Sequence, residues 1–155
     1  MKNKAISAAD VITPNQFELD CLSMRSSQTI REARDAVKAL HDLGPRAVLV
    51  TSLHTDETPA NSIDLLASDA SGCFVLRTPR LPLAVNGAGD AIAALFFAHY
   101  LRDRSVGEAL SLSASSVFGV LARTARANAR EIQLVDAQDE IVKPTRVFEA
   151  EMLAP

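Results

Sequence analysis

Two glycines and an acid stand at the start of an apolar helix in the segment 85–95, which reads VNGAGDAIAAL. Gly87 and Gly89 permit backbone conformations and close approaches that other residues prevent. The first amides of a helix lack intrahelical partners and lie at the positive end of its dipole, so they bind anions, phosphates above all. Asp90 would repel a phosphate there, unless it takes the proton of a hydroxyl while the 87–89 amides stabilise a transferred phosphoryl group. The alternative is a simple turn with a first-turn acid.

A second pair of polar residues lies near the start of the chain, directly after Pro14. Asn15 and Glu18 are three positions apart, so on the first turn of a helix their side chains share one face. An amide oxygen and a carboxylate suit Mg²⁺, which keeps several waters and takes few protein oxygens. The spacing also fits an ordinary capping box, with Asn15 at the N-cap and Glu18 at N3, and one geometry could serve both roles.

Two hydroxyl residues, Thr51 and Ser52, follow the continuous apolar run 47–50. Such a run is typical of a strand that is covered on both faces in a parallel sheet. Because ligands of open α/β sheets bind at the carboxyl ends of the strands, these hydroxyls could meet phosphates. None of the three histidines has a partner at metal-ligand spacing, so the sequence predicts no histidine metal site.

The elements that would position these residues alternate between strands and helices. Capping-box spacings that begin at Thr29 and Ser105 each predict the start of a helix. Strands are predicted at 9–14, 47–50, 62–68 and 73–78, and helices from 15, from 29, over 89–102 and from 105. This order predicts an α/β fold in a single domain over residues 1–155, although three or four strands are few for a doubly wound sheet. The acids of 136–140 are expected to cap or solvate a turn.

Composition narrows the classes of function. The 155 residues carry a net charge of −3, and 48% of them are hydrophobic but only 5% aromatic. Without a Lys/Arg cluster or a platform for base stacking, we expect no nucleic-acid partner. Cys21 and Cys73 predict two reduced thiols, and we find neither a signal peptide nor an apolar run of about 20 residues. We therefore expect a soluble, cytoplasmic protein with no membrane partner.

Taken together, four segments resemble the pyridoxal kinases of the ribokinase-like superfamily. They read ADVITPNQFELDCL, GPRAVLVTS, NGAGDAIAALFFAHYL and REIQLVDAQDEIVKP, and in this order they cover nearly every residue from Ala9 to Pro144. The G-x-G-D element is shared by the whole superfamily and identifies only the type of reaction. The stretches ITPNQFEL and IQLVDAQDEIV point to the pyridoxal branch over the sugar kinases. The resemblance implies a three-layer α/β/α sandwich.

The activity that the resemblance implies is transfer of the ATP γ-phosphate to the 5′-hydroxymethyl group of pyridoxal, pyridoxine or pyridoxamine. Asp90 matches the catalytic aspartate of the family, which meets the substrate hydroxyl. The anion hole of the family is matched by Gly87, Ala88 and Gly89, with Ala88 where many relatives carry Thr. Only the backbone amide of residue 88 is needed for that role.

Further residues match the family's contacts to ATP, namely Thr13, Asn15, Glu18, Thr51, Ser52, Arg80 and Leu81. Among them, Asn15 and Glu18 match the pair that organises Mg²⁺ and its waters near the phosphates. The resemblance also implies that a monovalent cation, usually K⁺, binds beside the nucleotide.

Family chains are nearly twice as long, and the part without a match is their amino-terminal half. That half supplies much of the sheet, most pyridoxal contacts and the usual homodimer surface. We therefore expect the carboxy-terminal ATP-binding and catalytic portion of such a kinase, an incomplete sandwich for which the usual homodimer is not expected. Two alternatives stay open: a catalytically silent fragment that at most binds nucleotide or pairs with another chain, and a hydroxymethylpyrimidine or sugar kinase.

Overall fold

A computed structural model describes residues 6–102 and 105–154 of the chain. Its helices are α1 Gln16–Ser23, α2 Ile30–His41, α3 Ala88–Tyr100, α4 Val106–Arg126 and α5 Gln138–Val142. Its strands are β1 Val11–Ile12, β2 Ala47–Leu53, β3 Ser62–Asp69, β4 Gly72–Pro79 and β5 Glu151–Met152. The predicted helices and the predicted hairpin are confirmed to within two residues, whereas the first predicted strand is only two residues long.

The five strands form one sheet in the order β1-β2-β3-β4-β5. β1 and β2 pair in parallel, and the three other pairs are antiparallel. The expectation of a parallel sheet around β2 is therefore correct on one side only. The connection 54–61 explains the difference, because a parallel crossover needs about a dozen residues or more. β3 and β4 form a hairpin in which Asp69 lies opposite Gly72.

Helices cover both faces of the sheet, which gives three layers. Along β2, Val48 and Val50 pack with Leu19 of α1 and Val37 of α2 in one apolar cluster. Leu49 points the other way, into a second cluster that contains residues of α3 and α4. The alternation follows from the period of two along a strand, and burial on both faces explains why 47–50 is continuously apolar.

One helix of each layer reaches the part of the sheet that contains β4 or β5. In one layer, the Arg34 guanidinium of α2 donates to the carbonyl of Ala154 beyond β5, so α2 lies toward β5. In the other layer, α4 packs on β3 and β4. β1 lies between the two layers, since its residues Ile12 and Val11 pack against the two clusters from opposite faces.

The carboxy-terminal segment is held on α4 by serine side chains. The hydroxyls of Ser111 and Ser115 accept hydrogen bonds from the amides of Ala150 and Phe148, each at 2.9 Å. These bonds lead the chain to β5, a strand that the sequence did not predict. Glu140 is also a correction, because its residue is only 3% exposed and does not lie in a solvated turn.

Candidate functional site

The amino end of α3 is an open helix end, as is that of the five-residue helix α5. Gly87 is the N-cap in a left-handed conformation with φ +92°, and no side chain caps the helix. By contrast, α1, α2 and α4 each begin with a complete capping box. The amides of Ala88, Gly89 and Asp90 therefore keep the unpaired donors of a first turn, and such donors attract an anion.

Space is available beside these amides. A Cβ built on Gly89 would have no atom within 4 Å, whereas one on Gly87 would meet Ile132 Cγ2 at 3.3 Å. Gly89 therefore borders open space, and Gly87 serves the left-handed turn. Asp90, in the same first turn, is exposed. It is turned neither into the core nor into the neighbouring cavity.

A cavity of about 260 Å³ lies between the sheet, the amino end of α3 and the middle of α4. It brings together five of the residues that the sequence singled out, namely Thr51, Ser52, Leu81, Ala88 and Gly89. Most of its other walls are apolar and include Ile63, Val85, Phe118 and Leu121. The cavity thus combines the hydroxyls of β2 and the amides of α3 with an apolar surface that suits a flat apolar group.

Asn15 and Glu18 form a reciprocal capping box. The Glu18 amide donates to Asn15 Oδ1 at 2.9 Å, and the Asn15 amide donates to Glu18 Oε2 at 2.9 Å. The box uses one carboxylate oxygen of Glu18 and leaves Oε1 to solvent, since both residues are exposed. The capping alternative is therefore confirmed, and the geometry still leaves an oxygen for a hydrated ion.

The chain joins this box to the cavity through β2. Asn15 and Thr51 form an isolated parallel bridge, and the Thr51 amide donates to the carbonyl of Pro14 at 3.0 Å. Thr13, half-buried, lies just before this bridge. The predicted ATP contacts on the two segments are therefore neighbours, although Thr13, Asn15 and Glu18 do not line the cavity.

Arg80 and Leu81 separate in the structure. Leu81 lines the cavity, whereas Arg80 is exposed and its amide donates to the carbonyl of Asn61 at 2.8 Å. We predicted that both residues contact the nucleotide, and of the two only Leu81 lies in the cavity.

Sequence analysis missed Gln16, which ties the start of α1 to the segment after β2. Its side-chain amide donates to the carbonyls of Ser27 at 2.9 Å and His54 at 3.0 Å, and its Oε1 accepts from the His54 amide at 2.9 Å. Ser52, two residues before His54, has a left-handed φ of +53°. A side chain between Asn15 and Glu18 thus holds the residue that follows β2, the strand that carries Ser52, and no spacing rule signals such a bond.

A buried acid lies beside a second cavity of about 450 Å³, which shares Leu81 and Phe118 with the first. Glu140 accepts from the hydroxyl and amide of Thr145, at 2.5 and 2.7 Å, and from the Arg123 guanidinium at 3.2 Å. The bonds from Thr145 and the charge of Arg123 lower the pKa of Glu140. Away from both cavities, burial raises the pKa of the Cys73 thiol to about 11.

The candidate metal ligands in the described part of the chain are the side-chain oxygens of Asn15 and Glu18. No group of three or more His, Cys, Asp or Glu side chains comes together there. Asn15 and Glu18 fit an ion such as Mg²⁺, which retains its waters, and do not fit one that needs a full protein cage. No helix in the described part of the chain is both long enough and apolar enough to cross a membrane.

Comparison with known proteins identifies the family. A model of the phosphomethylpyrimidine kinase family matches residues 1–135. The chain belongs to this family. Among curated family relatives, the pyridoxal kinase of Rubrobacter xylanophilus is 49% identical over 99% of the chain and 53% of its own length. That of Granulibacter bethesdensis is 46% identical over 97% of the chain and 54% of its own length. The resemblance to pyridoxal kinases is thus confirmed, and the chain spans about half the length of these relatives.

A solved structure confirms the architecture of this kinase-family chain. The pyridoxal kinase of Leishmania donovani in complex with ADP matches 99% of the chain and 54% of its own length, with a TM-score of 0.87 and 22% identity. The same enzyme has been solved with ADP and pyridoxine. At this identity the likeness establishes the fold, which is the ribokinase-like α/β/α sandwich that the sequence predicted.

Proposed function

We propose that the chain is the nucleotide-binding and catalytic portion of an ATP-dependent pyridoxal kinase. The observation that carries the proposal is the uncapped amino end of α3, with Gly89 facing open space beside a cavity. Relatives at 46% and 49% identity are named pyridoxal kinases, which favours a B6 vitamer over a hydroxymethylpyrimidine or a sugar as the acceptor.

The roles of the site residues follow from their positions. The amides of residues 87–89 stabilise the charge that develops on the transferred phosphoryl group, as donors at a helix amino end can. The cavity walls receive the base of ATP, and Thr51 and Ser52 contact its phosphates. Asp90 takes the proton of the 5′-hydroxyl, for which its exposed position at the first turn leaves access.

Mg²⁺ supplies charge neutralisation on the phosphates when it is bound. Asn15 and Glu18 would hold its water shell, since the capping box fixes both side chains and leaves Glu18 Oε1 to solvent. A K⁺ ion beside the nucleotide and the absence of the usual homodimer stay predictions from the resemblance, and a cytoplasmic location stays a prediction from the sequence composition.

The test of Asp90 uses a chimera in which this chain replaces the matched segment of the Rubrobacter xylanophilus kinase. We expect the chimera to phosphorylate pyridoxal, and the 155-residue chain alone to bind MgATP weakly with little turnover. Asp90→Asn in the chimera should lower kcat by roughly 10²–10⁴-fold, the usual contribution of a positioned base, with MgATP affinity retained.

Asp35→Asn is the matched control, because Asp35 is an exposed acid on α2, away from the cavity. It should leave both kcat and MgATP affinity unchanged. An Asp90→Asn chimera that turns over at the parental rate would remove Asp90 from the chemistry.

A further inference from the structure

The two candidate phosphate contacts of β2 lie in a β-bulge. β2 and β3 change register between Val50 and Leu53, so Thr51 and Ser52 lie opposite a single residue of β3. The extra residue of a bulge is left without ladder bonds to the neighbouring strand. Ser52 is also exposed and has φ +53°, a left-handed conformation that is uncommon for residues other than glycine. The position of Ser52 therefore depends on contacts other than pairing with β3.

The contacts that hold the bulge come from the start of α1. Asn15 and Thr51 form the isolated bridge on one side of Ser52. On the other side, Gln16 Oε1 accepts from the His54 amide at 2.9 Å, and Gln16 Nε2 donates to the His54 carbonyl at 3.0 Å. A side-chain amide offers both a donor and an acceptor, so Gln16 pairs with His54 as the backbone of a neighbouring strand would. The start of α1 thus holds the chain before and after Ser52.

The side chain of Gln16 suits this contact in both length and polarity. It is half-buried, and its Nε2 also donates to the carbonyl of the buried Ser27 at 2.9 Å. Two carbonyls beside Nε2 and one amide beside Oε1 fix the orientation of the group. Glutamate would place an acceptor against both carbonyls, and asparagine is one methylene shorter. The contact therefore requires glutamine at position 16.

We propose that Gln16 is a positioning residue for the phosphates of MgATP, and that it acts through Ser52. Its hydrogen bonds all go to backbone groups, so it does not itself reach the nucleotide by these bonds. It is the first residue of α1 and stands between Asn15 and Glu18, the candidate magnesium ligands. One helix start consequently presents the magnesium pair and fixes the phosphate contact at Ser52. This step rests on the proposed function.

Gln16→Met in the chimera tests the kinetic consequence, because methionine has a similar volume and cannot replace these hydrogen bonds. The KM for MgATP should rise at least about tenfold, since a small displacement of a ligand contact is costly. The kcat should stay within about twofold, the pattern of binding that is lost equally in the ground state and the transition state. The KM for pyridoxal should not change. An unchanged KM for MgATP would overturn the proposal.

Gln28→Met is the matched control for this substitution. Gln28 is an exposed glutamine in the connection between α1 and α2, next to Ser27. The change from glutamine to methionine at this position should leave kcat and both KM values as they are in the parental chimera. An equal rise in the KM for MgATP from Gln28→Met would contradict a specific role of Gln16.

A double-mutant cycle distinguishes positioning from a general loss of structure. Ser52→Ala removes the hydroxyl that Gln16 positions and should itself raise the KM for MgATP. If Gln16 acts through Ser52, adding Gln16→Met to Ser52→Ala should raise this KM by less than about twofold more. Two independent effects that multiply, or an unchanged KM in Ser52→Ala, would overturn the proposal.

Hydrogen exchange of the His54 amide follows the contact itself and needs no catalysis. Gln16→Met should speed this exchange at least about tenfold and leave that of Leu66, in the centre of β3, unchanged. No change at His54, or equal acceleration at Leu66, would contradict a local positioning role. If Gln16→Met does not fold, Gln16→Glu takes its place in the kinetic test, and it should raise the KM for MgATP because it sets an oxygen against two carbonyls.

The two proposals fail in different ways. A parental chimera that binds MgATP without transferring phosphate rejects the kinase function, and calorimetric titration then tests Gln16 through the same cycle, with Kd in place of KM. An active chimera in which Gln16→Met binds MgATP as tightly as the parent leaves the kinase function standing and removes Gln16 from the positioning of phosphate.

Discussion

At the scale of single residues, the candidate site depends on the open space beside Gly89. Gly89 has no φ that demands glycine, and a Cβ there would meet no protein atom within 4 Å. Glycine in a helix costs stability relative to alanine, by about 0.5–1 kcal/mol. The fold alone therefore does not explain why residue 89 is a glycine. An anion site explains it, because a side chain at position 89 would occupy the open space beside the α3 amides.

We expect Gly89→Ala to separate stability from binding. The substitution should raise the free energy of unfolding by up to about 1 kcal/mol, because helix propensity improves without a clash. It should weaken MgATP binding by at least about tenfold, since the methyl group occupies space next to the phosphate donors. Denaturant unfolding and calorimetric titration measure the two effects.

Ala94→Gly, at an exposed position of the same helix, is the reverse substitution outside the site. It should lower stability by about 1 kcal/mol and leave MgATP affinity unchanged. If Gly89→Ala also leaves MgATP affinity unchanged, the prediction of an anion-binding site at this helix end is wrong.

At the scale of elements, local signals were readable from the sequence and distant contacts were not. The capping boxes at Asn15, Thr29 and Ser105 are all present, because a cap is made by residues three positions apart. The strand-end rule likewise placed Thr51 and Ser52 at the cavity, although the strand does not end at residue 50 and β2 continues through both residues to Leu53. The hydrogen bond from the Ala150 amide to the Ser111 hydroxyl joins residues 39 positions apart, and no period or spacing in the sequence predicts such a contact. Phe118 lines the cavity from within a helix whose pattern indicates only a core face.

The contact between α4 and α5 offers an element-scale prediction. A Cβ on Gly119 would lie 2.2 Å from Glu140 Oε2 and 2.7 Å from its Cδ. Glu140 cannot swing away without losing its bonds from Thr145 and Arg123. We expect Gly119→Ala to lower the free energy of unfolding by about 1–3 kcal/mol, although the same change at Gly89 stabilises.

A double-mutant cycle supplies the control for this contact. In a Glu140→Ala background the contacts with Oε2 and Cδ are gone and only the contact with Cβ at 3.0 Å stays, so most of the Gly119→Ala penalty should disappear. A Gly119→Ala penalty that persists in that background would show that the close approach to Glu140 is not its cause.

At the scale of the whole molecule, the centre of the sheet is better supported than its edges. β3 has a strand on each side and residues buried on both faces, whereas β1 pairs with β2 alone in the described residues. α3 is packed on its inner face and exposed at Ala94, Phe97 and Ala98, whereas α4 exposes only Glu108 and Arg126. Local stability should follow these differences, because opening costs least where few apolar contacts are broken.

Hydrogen exchange of the chain alone should therefore show a gradient from β1 to the β3–β4 hairpin. Amides of Leu65, Leu66 and Ala67 should exchange only through near-global unfolding, and those in the middle of α1 and α3 at least about tenfold faster. Uniform protection across α1, α3 and α4 would contradict the expected gradient and show that exposure of a helix does not set its local stability here.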